Sequence, residues 1–536
     1  MQNLRMLFAA MSIHLLAGAQ QAGAPPRIDP RGCVGARVIA GGGALPPEVL
    51  AAFIALAGGP QAEVVLVPTA SAGADSAEAR ARTLASWQED FPDASFSILH
   101  TRDRAEADTA SFCEPLETAT AVWFGGGAQQ RLADAYVGTR FERELEALTA
   151  RGGVVGGSSA GAAAQSRVMI ARGNPSPELS TGFDLLPGAI IDQHFLARGR
   201  MPRLVTALGA RAGRFGLGVD EGTAVVVRGR DVRVVGRSQA LLLLPASEGK
   251  PQRVQRLQEG DRADLVTWQR AAQQRASGPW PPVSMPAPRV TRGTVMLGGG
   301  GGMPRAVFER FVERAGGADA ARIVVAPTAT PRQPGDRQDR VAKLLRSMGV
   351  ADVVVLEPRH PDEVTDAHVA VIDRATGVWF GGGRQWRTVD AFDGTPIIAA
   401  FHRVLERGGV IAGSSAGASI QGELLVRGNP LGNTDMWCEG YDRGFALLSG
   451  CAVDQHFVAR RRLPDLQGVI ARFPQVLGVG VDEGTCAVVS GSVLEVLGRS
   501  KVAIVDARLH TGKGPIPPNW VQAGERWDLV RGQRQQ

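Results

Sequence analysis

Two short stretches of this chain combine a nucleophile with a sharp turn. Gly157-Ser158-Ser159-Ala160-Gly161 returns as Gly413-Ser414-Ser415-Ala416-Gly417, and only the second serine of each pair has glycine two residues before and two after. Small neighbours let a strand bend abruptly into a helix, which lifts the serine Oγ at the strand's carboxyl end and points the helix N-terminus at it. Val154 and Val155 supply the strand, and the good helix formers Ala162 to Gln165 follow. A glycine-serine turn can also cradle a phosphate or be a plain tight turn, and one pentapeptide leaves those readings open. Its recurrence with the same flanks favours a nucleophile elbow.

A serine of this kind needs a base. Of eight histidines only two stand in matching contexts, His194 in Asp192-Gln193-His194-Phe195 and His456 in Asp454-Gln455-His456-Phe457. Each follows an apolar run that reads as a strand, and open α/β sheets carry their ligands at strand ends. Asp220-Glu221 and Asp482-Glu483 are the acids available to fix the imidazole tautomer and stabilise the imidazolium. A glycine loop completes the set: Gly125-Gly126-Gly127-Ala128-Gln129, with its twin Gly381-Gly382-Gly383-Arg384-Gln385. The N–H groups of Gly126 and Gly127 can join that of Ala160 as an oxyanion hole, as can those of Gly382, Gly383 and Ala416, each donor being worth about 3 kcal/mol in the transition state. Neither loop has the glycine spacing of a nucleotide site. The order serine, histidine, acid also differs from that of the α/β-hydrolases, so the elbow predicts the chemistry and not that scaffold.

These residues lie in a tandem repeat. The stretch at Val122 that holds the glycine loop recurs 256 residues later at Val378, and the later motifs recur in the same order. A period this long means two complete domains, not a solenoid. The sequence predicts copy one over residues 36–275, copy two over 293–536, and between them, at 276–292, a proline-rich connector that is extended and semi-stiff. Copy two carries added polar residues between Asn429 and Phe445, read as a longer surface loop. Short β-branched runs, such as Val64 to Val67 and Ile323 to Val325, alternate with amphipathic segments such as Arg140 to Ala150. That alternation predicts an α/β fold in each copy, a parallel sheet covered by helices on both faces.

Composition narrows the class. With 536 residues, 44% hydrophobic and 21% charged, disorder and coiled coil are excluded. The net charge is +6, but the arginines are spread along the whole chain, which argues against nucleic acid as a partner. Arg5, the apolar stretch Met6 to Leu16 and the small residues Ala22 to Ala24 read as a signal peptide over 1–24, and with it an exported protein without membrane insertion in its mature form. The five cysteines fit no metal-ligand spacing, and no cofactor is implied. In an oxidising compartment Cys438 and Cys451 are the pair available for a bridge, whereas Cys486 reads as a small core residue.

Taken in order, the glycine loop, the elbow, the Asp-Gln-His-Phe stretch and the Asp-Glu turn resemble the cyanophycinase branch of serine peptidase family S51, over nearly the whole of both copies. The resemblance implies a class I glutaminase-like, flavodoxin-related fold, a Ser-His-Glu triad, and cleavage of β-aspartyl-arginine units from a poly-aspartate backbone grafted with arginine. It makes Ser159 and Ser415 the nucleophiles, His194 and His456 the bases, and Glu221 and Glu483 the orienting acids. Gln129 and Gln385 match the family's loop glutamine, although its commonly acidic neighbour is Ala128 or Arg384 here. Arg198, Arg200 and Arg203 match arginines used to hold substrate carboxylates, and Asp192, Gln193, Asp454 and Gln455 are counted with them. Copy two keeps Arg460 and Arg462 but has Asp465 at the third place, which predicts a weaker hold on a carboxylate-rich substrate. The reading is a serine hydrolase acting on an acidic aspartyl polymer, its copies packed as an intrachain pseudo-dimer. The alternatives are an α-aspartyl dipeptidase of the same family and a non-catalytic binding module.

Overall fold

The computed structural model describes residues 27–331 and 339–535, so the segment read as a signal peptide lies outside the described residues. The chain divides between Pro279 and Trp280 into two compact units. In the first, strands β1 (Cys33–Ala40), β2 (Glu63–Val67), β3 (Ser95–Ile98), β4 (Ala121–Phe124) and β5 (Val154–Ser158) form a parallel set ordered β1-β5-β4-β2-β3. The later part of the unit adds the hairpin β6 (Val168–Arg172) and β7 (Glu178–Thr181), then β8 (Ala189–Asp192), β9 (Phe215–Val219), β10 (Thr223–Gly229), β11 (Asp231–Gly236), β12 (Ala240–Leu244), β13 (Arg253–Leu257) and β14 (Arg262–Asp264). Of these, β10, β11 and β14 extend the large sheet antiparallel from β1, making eight strands. The others except the hairpin form a second sheet, β13-β12-β9-β8, in which β8 and β9 run parallel.

The parallel set is packed from both sides because its strands are apolar at successive positions, not alternate ones. Val65, Val67, Val122, Phe124 and Val155 meet Phe141, Leu145 and Leu148 of the helix Arg140–Ala150 on one face. Their neighbours Val64, Leu66, Ala121, Trp123 and Val154 meet Val49, Phe53 and Ile54 of the helix Pro47–Leu56 on the other. Phe141, Leu145 and Leu148 recur at helical spacing, so one stripe of that helix is buried; Glu142 is buried with it, its carboxylate accepting the Gly138 N–H. The expected two-faced α/β architecture is therefore present, with an antiparallel extension and a second sheet that strand-counting from the sequence did not separate.

The second unit repeats the plan. Its nine-stranded sheet centres on the strand Val290–Gly298, flanked by the parallel strand Val410–Ser414 and the antiparallel strand Thr485–Gly491. Its five-stranded sheet holds Leu448–Gln455 beside Leu477–Val481, again parallel. The residues added in this copy do not form a plain surface loop. Cys438, Glu439, Tyr441 and Asp442 are buried, the Tyr441 hydroxyl donates to Asp390 at 2.7 Å, and the Trp437 indole donates to Asp442 at 3.0 Å. An aromatic hydroxyl and an indole that each find a carboxylate can be folded inward without losing hydrogen bonds. The connector is likewise laid on this unit: the Trp280 indole donates to the Asp442 carbonyl at 3.2 Å, and Gln475 donates to the Pro282 carbonyl at 2.8 Å. Cys451 is unbridged, which removes the Cys438–Cys451 disulfide, and burial pushes its thiol well above the usual range, away from the reactive thiolate. Cys486 is a core residue, as expected.

The turn into the elbow depends on backbones that touch. A Cβ on Gly161 would lie 2.2 Å from the Phe124 carbonyl oxygen, and one on Gly417 would lie 2.2 Å from that of Phe380. Gly161→Ala must therefore push β4 and the elbow apart, with an overpacking cost of about 1–3 kcal/mol. Gly468, inside the helix Leu463–Arg472, has open space around its Cβ position, and Gly468→Ala should stabilise by about 0.5–1 kcal/mol. Thermal melts of the two variants should move in opposite directions, and a Gly161→Ala protein melting with the parent would contradict the close approach.

Candidate active site

Both elbows are strained turns. Ser159 has φ +53° and Ser415 φ +57°, a region that non-glycine residues seldom occupy. Each follows the last residue of a central parallel strand and precedes a four-residue helix. The base is held in the same way, with φ +47° at His194 and +52° at His456, just past the ends of β8 and of the strand Leu448–Gln455.

What brings these turns together is a single strand end. In the first unit the carbonyls of Ala40, Gly41 and Gly42 accept, in succession, the N–H groups of Ser159 at 3.0 Å, His194 at 2.8 Å and Gly222 at 2.9 Å. Gly222 follows Glu221, so nucleophile, base and acid hang from three consecutive carbonyls. The second unit repeats this with Gly298, Gly299 and Gly300 accepting from Ser415, His456 and Gly484 at 2.9, 2.9 and 2.8 Å. The imidazoles then lie directly on this backbone. A Cβ on Gly42 would sit 2.4 Å from His194 Cε1, and one on Gly300 at the same distance from His456 Cε1.

The side chains complete two relays. Ser159 Oγ is 2.8 Å from His194 Nε2, and His194 Nδ1 is 2.6 Å from Glu221 Oε1. In the second unit the same distances are 3.0 Å and 2.6 Å, for Ser415, His456 and Glu483. With Nδ1–H donating to the carboxylate, Nε2 is left as the acceptor for the serine hydroxyl. Burial is the main cause that lowers the His194 pKa below the usual imidazole range; the Glu221 hydrogen bond opposes it and Arg198 assists. For His456 the same causes act, with Glu483 opposing and Arg460 assisting. A neutral imidazole at neutral pH is the form that can take a serine proton.

Asp220 and Asp482 have a different task. Asp220 accepts the N–H groups of Leu196 and Ala197 at 3.0 and 2.9 Å and the Ser238 hydroxyl at 2.7 Å. Asp482 does the same with Val458, Ala459 and Ser500. Burial works against these charges, yet the hydrogen bonds outweigh it and hold both carboxyls below the usual range. Each fixes the turn immediately after its histidine.

The other expected site residues divide. A Cβ on Gly126 would lie 3.6 Å from Ser159 Cβ, so this loop stands against the nucleophile, and Gly382 stands likewise against Ser415. Gly127 and Gly383 are the next residues, at φ +142° and +139°, while Ala160 and Ala416 open the short helices after the serines. Gln129 does not reach outward: its buried amide donates to the Ile170 and Ala171 carbonyls at 2.7 and 2.9 Å, and Gln385 donates to Val426 at 2.7 Å. Arg203 is also corrected. It is buried and its guanidinium grips Asp192, whose side chain is 0% exposed, so neither is available to a substrate. Arg200 is mostly buried and donates to the Gln193 backbone and side chain; Arg462 does the same to Gln455 and also pairs with Asp454. These residues neutralise and brace one another because a charge taken out of water must be paired. Arg198 and Arg460 alone of the proposed arginines keep exposed side chains, Arg198 with its Nε 4.0 Å from Glu221. Beside the turn after His194 opens a cleft lined by Leu196, Arg237, Ser238, Gln239, Gln258 and Glu259.

Sequence reasoning passed over the glycine runs at Gly41–Gly43 and Gly299–Gly302. The signal was there, since both follow the first strand of their copy. Asp220 and Asp482 were read only as alternative acids beside the chosen ones, and their partners Ser238 and Ser500 were not singled out.

The model of peptidase family S51 matches residues 38–235 and 295–497. The chain is 36% identical over 210 residues to a cyanophycinase of Synechococcus elongatus, a match covering 38% of this chain and 64% of the relative, just under two thirds of its length. It is 32% identical over 247 residues to a cyanophycinase of Trichormus variabilis, covering 44% of this chain and 82% of that one. Among solved structures, a peptidase from an acI-B1 actinobacterium is 21% identical, with a TM-score of 0.35, over 44% of this chain and 98% of the other.

The geometry predicts how Ser159 reacts. In a Ser415→Ala background, labelling of Ser159 by a fluorophosphonate should need neutral His194 and fall off with a midpoint below about pH 6.5 as pH drops. Glu221→Gln should slow labelling by a factor approaching about 10⁴ and move the midpoint lower, because the group that raises the imidazole pKa is gone. Asp220→Asn should lower the melting temperature and slow labelling less. A midpoint above pH 7, or an Asp220→Asn effect larger than that of Glu221→Gln, would overturn these assignments.

Proposed function

This chain belongs to peptidase family S51, and from that premise we propose that it is a serine-type hydrolase of aspartyl peptides, cleaving β-aspartyl-arginine units as the resemblance in its motifs implies, a reading that its similarity to cyanophycinases supports. One observation carries the reading: two separately folded units hold the same Ser–His–Glu relay, with distances agreeing to 0.2 Å or better. A binding module has no need to keep a serine at positive φ, +53° and +57°, under a buried imidazole twice over.

In each site the steps balance on the residues present. As serine Oγ bonds to the carbonyl carbon, histidine Nε2 takes its proton and the glutamate stabilises the imidazolium. The oxygen that gains negative charge meets the N–H groups of Gly126, Gly127 and Ala160, or of Gly382, Gly383 and Ala416. Histidine then gives the proton to the amine nitrogen as the C–N bond breaks, leaving an acyl ester on the serine. Water attacks the ester, histidine accepts its proton and returns it to serine, and the carboxylic acid departs. Arg198 and Arg460, exposed beside the relays, suit substrate carboxylates, since a guanidinium pairs with them bidentately and keeps its charge. In the first unit the adjoining cleft offers Arg237 and Glu259, a mixed pair that suits a polymer carrying both carboxylates and guanidinium groups.

Incubating the purified full chain with insoluble cyanophycin should release β-aspartyl-arginine dipeptides. Ser159→Ala combined with Ser415→Ala should abolish release and leave the melting temperature near that of the parent, because two half-buried hydroxyls are all that is removed. Undiminished turnover by the folded double variant would sink the relay assignment. Cleavage of α-aspartyl dipeptides with the polymer untouched would replace the substrate class and keep the mechanism.

A further inference from the structure

Asp192 and Asp454 are equivalent, each two residues before the histidine, and each side chain is 0% exposed. A carboxylate so placed must be neutralised by buried cations: Arg200 and Arg462, equivalent in the two copies, lie 3.6 and 3.2 Å from it, and a second arginine completes the pairing from a different element in each copy. In the first unit it is Arg203, from the helix Met201–Gly209, whose Nε donates to Asp192 at 2.7 Å and whose Nη1 donates to the Gly173 carbonyl at 3.0 Å. The equivalent of Arg203 in the second unit is Asp465. There the second cation is Arg427, whose Nε and Nη2 donate to the two Asp454 oxygens at 3.0 Å each. The equivalent of Arg427 in the first unit is Arg172, exposed and paired with Glu178. The guanidinium thus meets the same carboxylate beside the Arg-Gly-Asn-Pro turn, but a different element carries it.

Two local features make the exchange possible. Arg172 ends β6 as an extended residue, whereas Arg427 has φ +56°, which turns its side chain inward. Arg427 Nη2 then donates to Asp465 at 2.7 Å and Nη1 to the Asn433 carbonyl at 3.0 Å, so the aspartate at the old arginine position holds the new arginine in line. We infer that Arg427 is a positioning residue of the second site, keeping the strand end that presents His456 in register, and that Asp465 orients Arg427 instead of weakening substrate binding. The two sites then offer a substrate the same arginine, Arg198 or Arg460, and the third arginine of the first site gives it no advantage.

The inference rests on the hydrolase reading for its kinetic arm only. With Ser159→Ala in the full chain, so that the second site reports, Arg427→Ala should lower kcat at least tenfold with KM changed less than threefold, and should lower the melting temperature. Adding Asp465→Arg to Arg427→Ala should return kcat to within about threefold of the Ser159→Ala parent and recover the melting temperature, since an arginine at 465 approaches the carboxylate as Arg203 does. In the Ser415→Ala background, Arg203→Ala should behave like Arg427→Ala, and Arg172→Ala should change neither kcat nor melting. A folded Arg427→Ala protein with unchanged kcat, a change confined to KM, or a double variant whose melting recovers while kcat does not would each overturn the positioning role. If the Ser159→Ala parent turns over no aspartyl peptide, the hydrolase reading fails at the second site. The exchange then stands or falls on whether Asp465→Arg restores the melting temperature lost in Arg427→Ala.

Discussion

Three consecutive carbonyls at the end of one strand organise everything else in each unit. Ala40, Gly41 and Gly42 accept the N–H groups of Ser159, His194 and Gly222, and Gly298, Gly299 and Gly300 repeat the arrangement. Consecutive carbonyls on an irregular strand end diverge in direction, so each can draw in a different segment of chain. The three segments arrive from the central strand β5, from β8 of the second sheet, and from the turn between β9 and β10. A sheet alone could place only one of them. Side chains on Gly41 and Gly42 would collide with the Asp220 carbonyl and the His194 ring, so the anchoring strand end must be bare.

This anchorage also accounts for the tolerated strain. Serine and histidine at positive φ each cost of order 1–3 kcal/mol, and both units carry the pair. Each strained residue donates its own N–H to the strand end, and the turn after each histidine is tied by the buried Asp220 or Asp482. A net hydrogen bond contributes roughly 1 kcal/mol, and a charged acceptor roughly twice that. Several such bonds per turn are the scale needed to offset the strain, which is why the aspartate beside the orienting glutamate is structural while the glutamate reaches the imidazole.

The sequence was legible wherever a function is local. The elbow, the histidine context, the acid turn and the duplication are all contained in short stretches whose residue types state their own geometry. It was misleading where partners are distant in the chain. Arg203 and Asp192 are eleven residues apart, and spacing after the histidine cannot tell a substrate arginine from one that turns back on a buried carboxylate. The position of Asp465 suggested a lost contact because its compensation, Arg427, lies 38 residues earlier. Gln129 and Gln385 illustrate the same limit, since a polar residue after a glycine loop can as well face inward to cap the carbonyls of a neighbouring strand. The added segment of the second unit was read as a surface loop from its polarity, yet its aromatic residues give those polar groups buried partners.

Comparing the copies separates what the chemistry fixes from what the fold only requires. The strand-end anchorage, the relay and the aspartate clamp are the same in both, down to hydrogen-bond partners at equivalent positions. The second guanidinium on the buried aspartate, beside the shared Arg200 or Arg462, is not, because any guanidinium that reaches the carboxylate satisfies its charge, whichever element carries it. Around the second site the divergence continues outward: Arg384, where the first copy has Ala128, donates to the carbonyls of Asn429 and Gly432 and so ties the glycine loop to the added segment. Charges that meet the reacting atoms are thus constrained in position, whereas charges that meet only one another are constrained in sum. Duplication followed by drift sorts the two classes, and it does so within one chain.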